Sequence, residues 1–308
     1  VNWDDVRIFL AVARRGQILS AARTLGINHA TVSRRLTALE KALGARLVLR
    51  RTNGCELTGE GEAFVEAAER MEAAMLTAQA GFLGQDAALS GTVRIGAPDG
   101  FGISFLAPRL GRLLTRYPGL HLQLVPVPRV FSLSRREADI AITVERPDQG
   151  RVVARKLVDY SLGFYASRGY VAEHGIPQAI EELRQHRLIG YVEDLVFSRV
   201  LNFAEELPRD VRATFEISSA VGQAEAVRSG AGIGILHDFT ARHDPDFVHV
   251  LRGHIFKRAY WIVYHENARG VARVKAVSDF VMEEVAAARD GFLPDPDMAN
   301  GDVLSATG

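Results

Sequence analysis

Gln17–Leu39 reads QILSAARTLGINHATVSRRLTAL, two short helical patterns around a tight turn at Gly26-Ile27-Asn28. Before the turn, Ala21, Ala22 and Leu25 recur three and four residues apart and form a small-residue face. After it, Val32, Leu36 and Leu39 repeat the stripe, while His29, Thr31, Ser33, Arg34 and Arg35 fall mostly off it. Small residues let one helix cross another closely, and the turn glycine permits a backbone shape that other residues resist. Asn28 is placed to cap the second helix through its side-chain oxygen. The pattern predicts a helix-turn-helix whose second helix offers hydroxyls, an imidazole and two guanidinium groups. Such groups suit a DNA major groove: arginines for phosphates and guanine edges, short polar side chains for base edges.

Working outward, Trp3–Arg15 carries an apolar stripe at Val6, Phe9, Leu10 and Ala13 and predicts a helix packed behind the pair. After Gly44, ARLVLRR alternates apolar and basic residues, turns at Thr52-Asn53-Gly54, and continues as CELT. Asn-Gly between two extended runs predicts a hairpin. With Arg50, Arg51 and Thr52 it would form the wing of a winged helix-turn-helix, touching DNA backbone or minor groove. From Gly59 to about Leu83, the residues Phe64, Ala68, Met71, Met75, Ala78 and Phe82 follow alternating spacings of four and three. That is a coiled-coil seam, and it predicts a linker helix that pairs with a second copy of itself.

Charge supports this division. Residues 1–58 hold ten basic side chains against four acidic ones, and residues 59–90 hold Arg70 against six acids. The remainder is near balance at 26 basic and 27 acidic, so a formal net charge of zero conceals a basic amino-terminal unit. The single cysteine, Cys55, rules out an internal disulfide framework and suits a reducing cytoplasm. Neither a signal peptide nor an apolar run able to span a bilayer is apparent, so cytoplasmic localisation without membrane contact is expected.

Beyond a linker at Ala87–Gly91 the texture changes. TVRIGA, LHLQLVPV, ADIAITV, SLGFYA, RLIGYV, ATFEI, GIGILH, FVHVL and AYWIVYH read as strands. Helices are expected at Ser104–Tyr117, Phe131–Arg136, Arg168–His174, Ser219–Ser229 and Val271–Ala288. The alternation implies α/β units on mainly parallel sheets. The closing stretch, residues 291–308, has little to bury and is expected to be a disordered tail.

Together these residues resemble a LysR-type transcriptional regulator over nearly the whole chain. The resemblance is carried by FLAVARRG, SAARTLGINHATVSRRLTALEKALGARL, LRRTNGCELTGEGEAF, GTVRIGAP, READIAI and AVRSGAGIGIL. It implies an all-α winged helix-turn-helix (residues 1–58) and a dimerising linker helix and hinge (59–90). An α/β two-lobed effector-binding domain resembling type II periplasmic binding proteins would follow at residues 91–290. Lobe I would hold about 91–160 and 265–290, and lobe II about 161–264. The crossings between lobes are expected near Asp159–Leu162 and Val263–His265. Promoter DNA, a small-molecule effector and further copies of the chain, as dimer or tetramer, are the implied partners, with RNA polymerase a further candidate. No cofactor and no metal site is expected.

Departures from the family pattern carry information. Asn28-His29 stands where the family often opens the recognition helix with Ser-Gln, so His29 is a candidate base reader. Leu19 replaces the usual hydroxyl at the start of the preceding helix, and Val48 replaces the wing's usual Phe. In the effector domain, the loop after the first strand is Pro98-Asp99-Gly100-Phe101-Gly102. Asp99 either repels anions, leaving a cationic or neutral effector, or caps the helix at Ser104 while glycine N–H groups bind an anion. Val127, Pro128, Thr143, Tyr191, Ser218, Gly222 and Gln223 complete the candidate effector positions at strand ends and helix starts.

Two other classes compete. Gly230, Gly232 and Gly234 imitate a dinucleotide loop, but they follow a helix and precede a strand, the reverse of what a pyrophosphate needs. The chain lacks GxxxxGK[ST], HExxH and GxSxG, and its nine histidines show no metal-ligand spacing, which speaks against an enzyme. A solute-binding protein would share the two lobes but has no use for residues 1–90.

Overall fold

In the computed structural model, residues 1–51, 54–83, 89–127, 138–148 and 151–293 are described, and the chain divides into two compact units. Val1–Leu89 with Asn267–Ala272 form the first, and the second holds the rest.

The first unit opens with α1 (Trp3–Arg15), whose initial N–H groups meet the Asn2 side chain (Asp4 N to Oδ1, 3.0 Å) and whose first turn carries Asp4 and Asp5. Next come α2 (Ile18–Leu25) and α3 (His29–Leu43), joined across Gly26, which takes φ 66°, the left-handed conformation that closes a helix. Asn28 does cap α3, accepting the Ala30 N–H at 2.8 Å. Val6, Phe9, Leu10, Ala21, Ala22, Val32, Leu36 and Leu39 are buried in one core, as their spacing requires. The strands β1 (Val48–Arg51) and β2 (Gly54–Leu57) pair antiparallel, with Arg51 opposite Gly54. The root of this hairpin is pinned twice: Glu40 on α3 accepts the Leu47 and Val48 N–H groups (2.9 and 3.1 Å), and Cys55 N–H donates to Gly16 O (2.6 Å). Thr58 then caps α4 (Gly59–Leu83), accepting the Gly61 N–H at 2.9 Å.

The seam on α4 requires correction at its start. Phe64 packs on Phe9 with tilted rings at 5.3 Å and Ala68 is fully buried, so both pack into the core of their own unit, Ala68 with nothing left for a second copy. Arg14 and Glu72 add an ion pair between α1 and α4. A heptad spacing identifies a continuous stripe without saying which neighbour covers each part of it. Met71 and Met75 remain 43% exposed, and the side chains of Ala78 and Phe82 lie outside the described residues.

The second unit is built on a mixed sheet in which two long strands run through both lobes. β3 (Gly91–Ala97) lies between β4 (Leu120–Pro126) and β5 (Ile140–Thr143), parallel to each. β6 (Val152–Ser167) is 16 residues long and pairs antiparallel with β11 (Phe256–His265) over its first part. Its last part, Leu162 onward, pairs with β9 (Ile233–His237) and β10 (Phe247–Val250). After α7 (Arg168–His174), β7 (Leu188–Gly190) and β8 (Phe215–Glu216) extend the second lobe in parallel. The sheets are parallel inside the lobes but antiparallel along the crossing strands, because a strand and its return through one hinge must run oppositely.

Several boundaries differ from the sequence-based expectation. On β11, Trp261–Val263 already pair with β5 in the first lobe, so this crossing falls at Phe256–Tyr260 and not at Val263–His265. The helix expected from Ser104 begins earlier: α5 (Asp99–Phe101) runs through a π-helical stretch, Gly102–Leu106, into α6 (Ala107–Arg116). The tail also starts later, since Phe292 is 1% exposed among Phe101, Phe105 and Phe239, and Leu293 O accepts from Arg242. One aromatic side chain is enough to anchor a polar segment. The helix expected at Phe131–Arg136 and residues 294–308 lie outside the described part.

Candidate functional site

In the first unit, α3 carries the candidate nucleic-acid surface. Its cap consumes the Asn28 side chain, so this residue contributes a helix start, whatever else it touches. His29 and Arg34 are exposed, and Thr31 and Ser33 are half-buried beside them. Arg35 is committed elsewhere, its Nη1 standing 3.0 Å from Asp5 and 3.5 Å from Asp4. The hydrogen bond and charge of Asp5 raise the Arg35 pKa. Arg51 pairs with Glu56 across the hairpin at 3.1 Å, whereas Arg34 and Arg50 form no ion pair among the described residues. The expectation that all four arginines face phosphates is therefore corrected at Arg35, which ties α3 to the start of α1. Thr52 lies outside the described residues, and Leu19 presents an apolar side chain, 54% exposed.

In the second unit, the end of β3 and the middle stretches of β6 and β11 meet the start of α8 (Ala220–Arg228) and the end of β9. They enclose a cavity of about 30 Å3 lined by Asp99, Gly100, Tyr160, Tyr191, Phe197, Phe203, Gln223, His237 and Tyr260, with smaller apolar neighbours. Asp99 is 4% exposed. Its Oδ2 accepts Ser219 Oγ–H at 2.6 Å and Val221 N–H at 3.3 Å, so the carboxylate crosses from the first lobe to the beginning of α8. Ser219 is itself the cap of α8, accepting the Gly222 N–H at 3.1 Å. Asp99 thus caps a helix, but in the opposite lobe and not at Ser104, whose helix starts without any side-chain cap. The lobes approach closely here: a Cβ on Gly100 would stand 2.9 Å from the His237 ring and 3.2 Å from Ala220.

The cavity wall is aromatic. Tyr160 and Tyr260 stack at 4.0 Å, and Tyr160 lies against His237 at 5.4 Å. Tyr260 OH is 3.1 Å from His237 Nε2. Burial lowers the His237 pKa to about 4 against the opposing pull of Asp99 and Asp238, so the ring is neutral at pH 7 and shares a hydrogen bond with the Tyr260 hydroxyl through Nε2. Burial, followed by the charge of Asp99, raises the pKa of Tyr191. The Tyr160 hydroxyl is buried without a hydrogen-bond partner among the described residues.

Of the positions selected from sequence, Asp99, Gly100, Tyr191 and Gln223 line this cavity. Others do not. Phe101 is fully buried against Tyr260, and Gly102 is packed on Pro126. Val127 packs with Ala138 and Ala141, and Thr143 Oγ1 donates to Glu145 O at 2.6 Å. Ser218 and Gly222 flank the serine that makes the contact, and Pro128 lies outside the described residues. Tyr160, His237, Tyr260, Phe197 and Phe203 were missed. The crossing expected at Asp159–Leu162 contains Tyr160, and a tyrosine at a crossing strand was the one available signal.

Comparison with known proteins follows the same division. A family model described as LysR substrate binding domain matches residues 86–286, and one described as bacterial regulatory helix-turn-helix protein, lysR family, matches residues 3–62. The chain is 29% identical over 291 residues to the HTH-type transcriptional regulator CrgA of Neisseria meningitidis, covering 92% of this chain and 97% of the relative. A solved CrgA structure aligns with a TM-score of 0.59 at 27% identity, over 92% of this chain and 99% of that one. DmlR of Escherichia coli is 27% identical over 92% of this chain and 94% of its own length. The fold alone is shared with full-length LysG from Corynebacterium glutamicum, at 19% identity and a TM-score of 0.66, over 93% and 99% of the two chains.

Proposed function

Because this chain belongs to the LysR family of bacterial transcriptional regulators, we propose that it reads promoter DNA chiefly through His29, Thr31, Ser33, Arg34 and Arg50. The observation that carries this reading is the exposed face of α3, whose apolar residues are spent on the core while His29 and Arg34 stay outside it. Two copies related by a twofold would present two such helices to half-sites, paired through the part of α4 beyond Ala68. Tetramers, contact with RNA polymerase and a cytoplasmic location belong to the same proposal. No helix among the described residues is long and apolar enough to cross a membrane. The relatives are named as transcriptional regulators, which supports regulation over catalysis. An effector held between the lobes would change DNA binding only as far as its affinities for the two lobe arrangements differ.

Arg34 and Arg50 supply the test. In a mobility-shift titration with the upstream intergenic DNA, Arg34→Ala and Arg50→Ala each weaken binding and each reduce the slope of log K against log salt by about one. Absence of binding to this DNA at low salt by the unaltered protein overturns the proposal.

A further inference from the structure

We propose that the interlobe cleft of this chain accepts a small organic cation, its ammonium group set against Asp99 within the tyrosine wall. The inference rests on reading the cleft as the effector site and adds the charge class of the effector. Three observations converge on it.

The first is charge. Asp99 is a buried carboxylate whose only described partners, Ser219 Oγ–H and Val221 N–H, are neutral donors to one oxygen. Its Oδ1 has no hydrogen bond, and no ion pair reaches the carboxylate, among the described residues. Among the described residues the lining contains no lysine or arginine, and its one imidazole is held neutral by burial. A buried charge without a counter-charge is costly, and an arriving cation removes that cost.

The second is the wall. Tyr191 offers an electron-rich ring to an alkylammonium or aromatic ammonium group, while Tyr160 and Tyr260, their faces stacked on each other, on His237 and on Phe101, close the wall against water. The Tyr160 hydroxyl, buried and unpartnered, is a further acceptor for an N–H.

The third is occupancy. The backbone N–H of Val221 at the start of α8, the natural seat for an effector carboxylate, is already taken by the protein's own carboxylate. A carboxylate ligand would meet Asp99 as a like charge. The cavity, about 30 Å3, leaves room for little more than a water, so entry of any effector requires the lobes to part.

Probes of similar size that differ chiefly in charge test the idea on the full-length protein. Phenethylammonium, 2-phenylethanol and phenylacetate, with choline as a second cation, are compared by thermal shift and isothermal titration calorimetry. At least one cation should bind saturably and raise the melting temperature. The alcohol and the carboxylate should bind at least about tenfold more weakly, the scale of one charged hydrogen bond. Asp99→Asn should erase the preference for the cation, and Tyr160→Phe, which keeps the ring, should weaken an N–H-bearing cation more than choline. If Asp99→Asn does not fold, the charge series on the unaltered protein still decides. Tighter binding of phenylacetate, or binding of neither cation, overturns the proposal. Mobility shift of promoter DNA is measured in parallel. DNA binding with the wrong charge preference removes only the cation, whereas loss of DNA binding removes the regulator reading.

Discussion

His237 shows how one side chain inherits its chemistry from its surroundings. Packed against Tyr160, Phe239 and Tyr260, it is held neutral, and its pKa falls to about 4. As pH drops through 6.5 the unfolded chain takes up this proton before the folded one does. Stability is therefore full above pH 6.5, is lost progressively between about 6.5 and 4, and loses no more from this group below that. The slope in that window is at most about 1.4 kcal/mol per pH unit. Urea unfolding of the wild type and His237→Gln across pH 4–7 should show a flatter profile in the variant. Equal slopes would mean that the imidazole titrates normally in the folded protein. The same scale explains why neighbouring arginines divide their labour. Arg34 and Arg35 are indistinguishable in sequence, but consecutive helix positions point about 100° apart, and only Arg35 falls over the acids of α1.

At the level of elements, the hairpin depends on a residue that no reading of the wing would select. Glu40 lies on α3, yet its carboxylate accepts the two N–H groups that begin β1. Glu40→Ala leaves both donors half-buried without a partner and should cost roughly 1–3 kcal/mol by denaturant unfolding. Its DNA affinity should fall further than its helix content, because Arg50 loses a fixed base. Unchanged stability would show that water replaces the carboxylate without loss. The helices of the first unit were legible because their caps and apolar stripes are local: α1 and α4 occupy the spans their periodicity marked. The first part of β6 was not, since VVARKLVDY has no clean alternation and becomes strand through pairing with β11, about a hundred residues away; only its continuation, SLGFYA, was legible.

For the whole molecule, the question is what covers the outer part of α4. With Phe64 and Ala68 used at home, Met71 and Met75 are the described members of the stripe left to meet a second copy. Met71→Glu combined with Met75→Glu should place four carboxylates in a twofold seam and shift the sedimentation equilibrium toward monomer. Half-site DNA binding should weaken with it through lost avidity. A double variant that stays dimeric would move the interface elsewhere.

By itself the sequence determined the order of the domains, the helix-turn-helix with its caps, the hairpin, the two-lobed α/β class and the family. The caps, the turn and the hairpin rest on spacing and turn chemistry, which act between near neighbours, whereas the two lobes and the family rest on the resemblance of whole motifs. Tertiary structure alone decided that Arg35 is an internal tether, that the first turns of α4 belong to their own core, and that Asp99 caps a helix 120 residues further along the chain. Each of these depends on which distant groups share a few ångströms of space. Hydrogen bonds and buried charges are settled at that distance, whatever the separation along the chain.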